Sequence, residues 1–337
     1  MKNKIISFIC FYFTVPFFVF AAMIFGGILI GGIGKAAYIS EEIPEGISSK
    51  LIEKELFPEK ALDDFLPPDS TMHPIIAKTI SSKDNILNET TYNINESEIM
   101  SHAPIYDSST SEPLVLVIHT HGTECYFEKD TGVKIYYSAS DGAVEEYYDE
   151  KKTLSRTEDT EKNVVAVGEA FCETLKENGI ANIHCRQMFD KDDYNQSYSN
   201  SGKAIEKYLK EYPSIKLVID IHRDSLVSEN LTKVKTVTSA LKTRCAQVMI
   251  VAGSDAGGSY YPNWKRSLAL NLEVKKVMDE KYPTLSRPIF LRGARYNQHL
   301  AYTSFLLEVG TCANTLEEAK TAAKLAAECI ATVILES

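Results

Sequence analysis

Residues Leu114 to Ile118 are five consecutive apolar residues, three of them β-branched, and the chain then passes abruptly into His119, His121 and Glu124 around a single glycine. A run of that length and branching predicts a strand buried on both faces, which belongs in a sheet covered by helices on either side. In open α/β sheets the chemistry gathers at the carboxyl ends of the strands, and this is such an end. Imidazole and carboxylate together are the usual protein ligands of a catalytic zinc. Two histidines at i and i+2 of an extended chain point to the same side, where one ion could reach both. The plainer alternative is a strand end that happens to carry polar residues.

Two later segments repeat the design. Lys216 to Ser225 reads K-L-V-I-D-I-H-R-D-S, with His222 where the apolar run ends, and Thr303 to Gly310 reads T-S-F-L-L-E-V-G, with Glu308 near its end. Between them lie amphipathic helices, expected over Glu161–Asn178, Gly202–Tyr212, Trp264–Tyr282 and Leu316–Leu335. Gly179 and Pro213 stand where the first two should stop. Further strands are expected at Ile180–Cys185, Thr232–Ser239, Gln247–Gly253 and Ile289–Leu291. Alternating strands and helices predict an α/β fold, with a mainly parallel central sheet and helices on both faces. Parallel strands would then deliver His121, Glu124, His222 and Glu308, remote in sequence, to one edge.

The rest of the chain divides at about residue 112. Residues 5–33 carry no charge and exceed the roughly 20 residues that span a bilayer. Lys2 and Lys4 precede them and Glu41, Glu42 and Glu45 follow, which predicts a retained anchor with its tip (residues 1–35) on the cytoplasmic side. Residues 36–111 are polar, with six prolines and weak periodicity, and are expected to be an extracytoplasmic tether, partly disordered. Residues 112–337 are expected to be the catalytic domain. The chain is 44% hydrophobic overall, ordinary for a core-forming protein. The whole chain has a net charge of −10 without a basic stripe, which argues against nucleic acid as a partner. Six cysteines outside the apolar run form no C-x-x-C pair and are expected to be mostly reduced core residues.

The signatures of several other chemistries do not appear. There is no H-E-x-x-H, no G-x-S-x-G elbow and no Walker loop, and nothing marks Cys125 as an activated nucleophile. A metal held by three side chains with one open position would leave Glu308 to move protons as a general base. Asp220, two residues before His222, could orient it or be buried against a helix. Arg223 could meet a substrate carboxylate or pair with Asp224.

Four motifs in order, H-T-H-G-T-E-C-Y, D-I-H-R-D-S, R-Y-N-Q and L-L-E-V-G-T-C-A-N-T-L-E-E-A, together resemble the stage II sporulation protein P family over about residues 112–335. The resemblance implies a peptidoglycan hydrolase related to zinc-dependent N-acetylmuramoyl-L-alanine amidases, with an amidase-like fold behind a transmembrane helix and tether. It implies amide cleavage between muramic acid and L-alanine, possible cleavage of peptide cross-links, and work at the engulfing septum with stage II sporulation proteins D and M. It implies a bound Zn2+, with ligands at His222 and in the first motif, and Glu308 as the catalytic carboxylate. Within that motif His121, followed by Gly122, resembles the amidases' His-Gly, and His119 is the second histidine in question. Glu124 is the preferred carboxylate ligand and Glu161, in E-K-N-V-V, the other candidate. Arg223 and Asn297, each inside a motif, are the expected substrate contacts. The rival expectations are a metal-dependent de-N-acetylase or carboxypeptidase of the same polymer, and a weakly catalytic wall-binding scaffold.

Overall fold

The apolar run at Leu114–Ile118 does become a buried strand, and the sheet is built outward from it. The computed structural model describes residues 72–127, 133–137, 144–238 and 244–337. The anchor expected at residues 5–33 and the first half of the tether lie outside these residues. Among the described residues no helix is long and apolar enough to cross a membrane. All elements below belong to the compact unit of residues 59–226 and 232–337, while Val227–Leu231 belongs to another.

In chain order the strands are β1 (Met72–Lys78), β2 (Ile86–Asn88), β3 (Val115–Ile118), β4 (Val133–Tyr137), β5 (Val144–Asp149), β6 (Asn182–His184), β7 (Leu217–Asp224), β8 (Lys233–Thr238), β9 (Cys245–Ala246), β10 (Val248–Gly253), β11 (Ile289–Arg292) and β12 (Thr303–Thr311). The helices are α1 (Glu96–Met100), α2 (Val164–Glu177), α3 (Ser197–Glu211), α4 (Trp264–Lys281) and α5 (Leu316–Glu336). The larger sheet has the order β2-β11-β10-β12-β7-β3-β6. Every neighbouring pair in it is parallel except β10 with β12, so the sheet is mixed rather than all-parallel. A second sheet, β4-β5-β1-β8-β9, is mostly antiparallel.

Alternation along the central strands sorts the core into two faces. Val115, Val117, Leu217, Ile219, Ile221, Phe305 and Leu307 pack with α2, α4 and α5. Leu116, Ile118 and Val218 face the other way, against Ile205 of α3, Cys185 and Phe189. Helices therefore cover both faces, as the apolar runs predict. Helix ends follow local chemistry: the Asn163 side chain accepts from Val165 N–H at 3.0 Å to start α2, and Thr315 with Glu318 forms a capping box on α5. The six cysteines of the described residues are free and buried.

One expectation is corrected. Residues 72–111, read as the outer half of a tether, supply β1, β2 and α1, with β1 central in the second sheet and β2 on the edge of the first. The second sheet is tied to α5 by a charge cluster, in which buried Lys235 Nζ lies 2.5 Å from Glu146 Oε2 and the half-exposed Arg244 bridges Glu146 and Glu318.

Candidate functional site

The carboxyl ends of β3, β7 and β12 lie side by side. In the ladder between β7 and β12, Glu308 is the direct partner of His222, so both side chains stand on the α3 face. His121 reaches the same face through a turn that begins where β3 ends. Gly122 makes the turn possible, because a Cβ there would come within 2.7 Å of the Met188 side chain and 2.9 Å of its backbone. Glu124 is fixed by its own backbone: its N–H donates to His121 O at 3.1 Å and its carbonyl accepts from Val164 N–H at 2.8 Å, joining the turn to the start of α2.

The side chains of this edge are buried and charge-paired. Glu124, 1% exposed, accepts from the Arg223 backbone N–H at 3.1 Å and lies 3.5 Å from His222 Nδ1. His222 Nε2 lies 3.0 Å from Asp220 Oδ1. Burial opposes charge on Glu124, but the hydrogen bond and charge of His222 with nearby Arg223 hold its carboxyl well below the usual carboxylate range. Burial likewise opposes charge on His222, but Asp220 and Glu124 raise its pKa well above the ordinary histidine value. His121 is pushed down to about 4, chiefly by burial and then by His222.

Around His121 stands an aromatic and acidic wall that sequence patterns do not reveal. Tyr194 stacks on its ring at 4.5 Å, Tyr198 meets it edge-on at 5.5 Å, and His222 crosses it at 5.2 Å. The Arg156 guanidinium lies 4.7 Å over the Tyr194 ring and donates to Asp190 Oδ2 at 2.8 Å. Asp190 also accepts from Thr123 Oγ1 at 2.6 Å and sits 3.9 Å from His121 Nδ1. Asp190, Tyr194 and Arg156 lie in connecting segments, where no periodicity marks a residue. Asp220, in the expected strand, accepts from Thr120 N–H at 2.8 Å, tying the β3 turn to β7.

His121, Glu124, His222 and Glu308 are thus brought together, and the other sequence candidates are not. His119 points to the α2 face, where its rings of contact are His184 and the Ile221 carbonyl. The i, i+2 argument fails because β3 stops at Ile118 and the turn rotates the chain between the two histidines. Glu161 is exposed in a groove of about 620 Å³ between α2 and α5, on the α2 face of the sheet. Arg223, expected to contact substrate, is 3% exposed and its guanidinium donates to the carbonyls of Cys125, Ser155 and Asp224, which ties neighbouring loops to β7. Its neighbour Asp224 pairs instead with Arg287 at 2.6 Å. Asn297, at φ 59°, donates to Tyr198 O at 2.7 Å and Ser201 Oγ at 3.1 Å, which locks its loop to α3.

The donor set of two imidazoles and a carboxylate suits zinc. Nδ1 of His121 is buried without a hydrogen bond, as a ring nitrogen meant for another group would be, whereas Nε2 of His222 is already engaged by Asp220. The side chains are spaced as a charge-paired cluster: among the described residues no three His, Cys, Asp or Glu groups have the spacing of a metal centre.

The sequence model of the family Stage II sporulation protein P (SpoIIP) matches residues 43–331. The chain belongs to the SpoIIP family. It is 27% identical over 237 residues to Stage II sporulation protein P of Bacillus subtilis (strain 168), an alignment covering 67% of this chain and 52% of that relative, about half its length. Among solved structures it is similar to the N-acetylmuramoyl-L-alanine amidase AmiC2 of Nostoc punctiforme, at 15% identity over 67% of this chain and 98% of that one, with a TM-score of 0.34. It is also similar to an N-acetylmuramoyl-L-alanine amidase from Clostridium difficile 630, at 10% identity over 67% and 97% of the two chains, with a TM-score of 0.36. Scores of that size carry no residue assignments, so the site of this SpoIIP member stands on its own geometry.

Proposed function

We propose that this SpoIIP member is a zinc-dependent peptidoglycan hydrolase that cleaves the amide between N-acetylmuramic acid and L-alanine during septal wall remodelling in sporulation. The observation that carries the reading is the ladder pairing of Glu308 with His222 on the face that also holds His121 and Glu124. A carboxylate beside an imidazole–carboxylate donor set is what metal-assisted amide hydrolysis requires. His121, Glu124 and His222 would hold the zinc, which when bound supplies a Lewis acid for the scissile carbonyl and a more acidic water. Glu308 takes the proton from the attacking water and returns it to the leaving amine. Asp220 keeps the His222 ring oriented, and Tyr194, stacked on His121, fixes that ring from the open side. Cleavage of peptide cross-links, membrane anchoring by residues 5–33 with the catalytic part outside the cell, and work with stage II sporulation proteins D and M belong to the same proposal, on the resemblance of the motifs.

The test uses the full chain in detergent. Metal content is measured after dialysis, and purified sacculi are digested with product analysis. The expected result is one zinc per chain and free stem peptides with an L-alanine amino terminus, and His222→Ala should lose both. Released acetate or terminal D-alanine would replace the amidase with a de-N-acetylase or a carboxypeptidase. Zinc binding without any cleavage would favour a wall-binding scaffold, and full hydrolysis by His222→Ala would sink the site.

A further inference from the structure

Behind the candidate site, on the α2 face, a chain of hydrogen bonds runs from the surface to the backbone of β7. The His119 ring is fully buried, with Nδ1 3.0 Å from the Ile221 carbonyl and Nε2 2.8 Å from Nε2 of His184. Nδ1 faces a carbonyl and therefore donates, which leaves Nε2 to accept from the His184 Nε2–H. Glu169 Oε2, 3.0 Å from His184 Nδ1, accepts a hydrogen bond when His184 carries protons on both nitrogens, a charge that burial opposes and the Glu169 carboxylate favours, and Arg186 clamps the same carboxylate through Nε at 2.8 Å and through its terminal nitrogen.

Two independent features show that this chain is built in. Gly168 sits inside α2, where glycine is disfavoured, and a Cβ there would lie 2.5 Å from His119 Cε1 and Nε2 and 2.8 Å from His184 Nε2. The two rings can meet only because that Cβ is missing. The second feature is position. Backbone pairing between β3 and β7 ends at Ile118 with Asp220, and Ile221 is the next residue of β7. The His119 side chain takes over where the ladder stops, one residue before His222.

We infer that His119, His184 and Glu169 form a positioning brace that holds β7 at Ile221 and so sets where His222 stands relative to His121. His119 is then a positioning residue rather than a ligand. The consequence for metal binding rests on the proposed role of His222, whereas the consequence for the strand does not. Native-state hydrogen exchange in the presence of a chelator reads the strand alone. In Gly168→Ala and in His184→Leu, the amides of Ile221 to Asp224 should exchange about five- to tenfold faster, the equivalent of one lost hydrogen bond, while those of β10 keep their rates. His119→Asn keeps an amide donor near the Nδ1 position and should restore most of the protection, whereas His119→Leu should not.

Zinc affinity, read by competition with a chromophoric chelator, should weaken 10- to 100-fold in the same variants, the usual cost of losing a residue that orients a ligand. Unchanged exchange at residues 221–224 overturns the brace, as does a rise spread evenly over the sheet, which would mark a purely structural role. If Gly168→Ala does not fold, His184→Leu, which keeps the glycine, carries the same readout. A wild-type chain that binds no zinc would overturn the proposed function, and the exchange result would still decide the brace.

Discussion

His119 and His121 are two residues apart and end on opposite faces of the same sheet. His119 is sealed against α2 in a closed run of hydrogen bonds, and His121 stands among Tyr194, Tyr198 and His222 beside α3. Both rings are held neutral by burial, at about 3 for His119 and about 4 for His121. The difference lies in their nitrogens: both of His119's have partners, whereas Nδ1 of His121 has no hydrogen bond. Identical side chains thus serve as brace and as prospective ligand, according to which partners the turn brings to each.

The comparison is broken most severely on the open side. Glu308→Gln keeps the shape of the side chain and removes its basicity, so hydrolysis of sacculi should fall about 10²- to 10⁴-fold, the usual contribution of a general acid–base group. The urea midpoint should stay close to wild type. Muropeptide release over time and a denaturation curve on the same preparation check both halves. Activity within a few-fold of wild type would remove Glu308 from the chemistry.

The open side was also the more legible one. Apolar runs ending in His222 and Glu308 are visible in the sequence, and their ladder pairing follows from parallel strands. What the strand period could not supply is the reversal between His119 and His121. It depends on a turn that starts at the end of a four-residue strand and is pinned by Thr120 on Asp220. The brace partner His184 lies in a strand that the sequence does predict, but its meeting with His119 depends on the missing Cβ of Gly168 on another element, which no strand pattern shows. β1 escaped notice for a related reason: Pro74 interrupts M-H-P-I-I-A-K, and proline inside a run argues against a strand. β2, with I-L-N, is too short to show alternation at all. Arg156, Asp190 and Tyr194 come from connections, where position is set by tertiary contacts alone.

A pH series sharpens the comparison at intermediate size. Both rings have folded-state pKa values below the roughly 6.5 of an unfolded histidine. The unfolded chain therefore takes up their protons first, and stability is full above about pH 6.5 and lost as the pH falls toward 4 and 3. Each ring steepens that loss by up to about 1.4 kcal/mol per pH unit. His222, whose pKa is raised, is protonated in both states below pH 6.5 and contributes to the slope only above it. In chelator, His119→Leu should show a shallower acid slope extending down to about pH 3, and His121→Leu one that differs only down to about pH 4. Urea midpoints between pH 3 and 7 measure this, and identical slopes in both variants would mean that neither ring is held neutral by its surroundings.

The smallest effect separates the two carboxylates. Glu124 lies on the His121 side, 1% exposed and 3.5 Å from His222, whereas Glu161 is exposed in the groove between α2 and α5. Glu161 precedes α2 in the sequence, close to the Asn163 cap, yet it stands apart from the two imidazoles. Geometry favours the buried group, because a carboxylate held ionised beside two imidazoles can bind a cation without first being brought there. Glu161→Gln should leave zinc stoichiometry, zinc affinity and sacculus digestion within about twofold of wild type, as an exposed surface change does. Glu124→Gln should lose the zinc while keeping the hydrogen bond from Arg223, since an amide oxygen can still accept it. If Glu161→Gln empties the protein of metal and Glu124→Gln does not, α2 must shift on binding and the two faces of the sheet exchange roles.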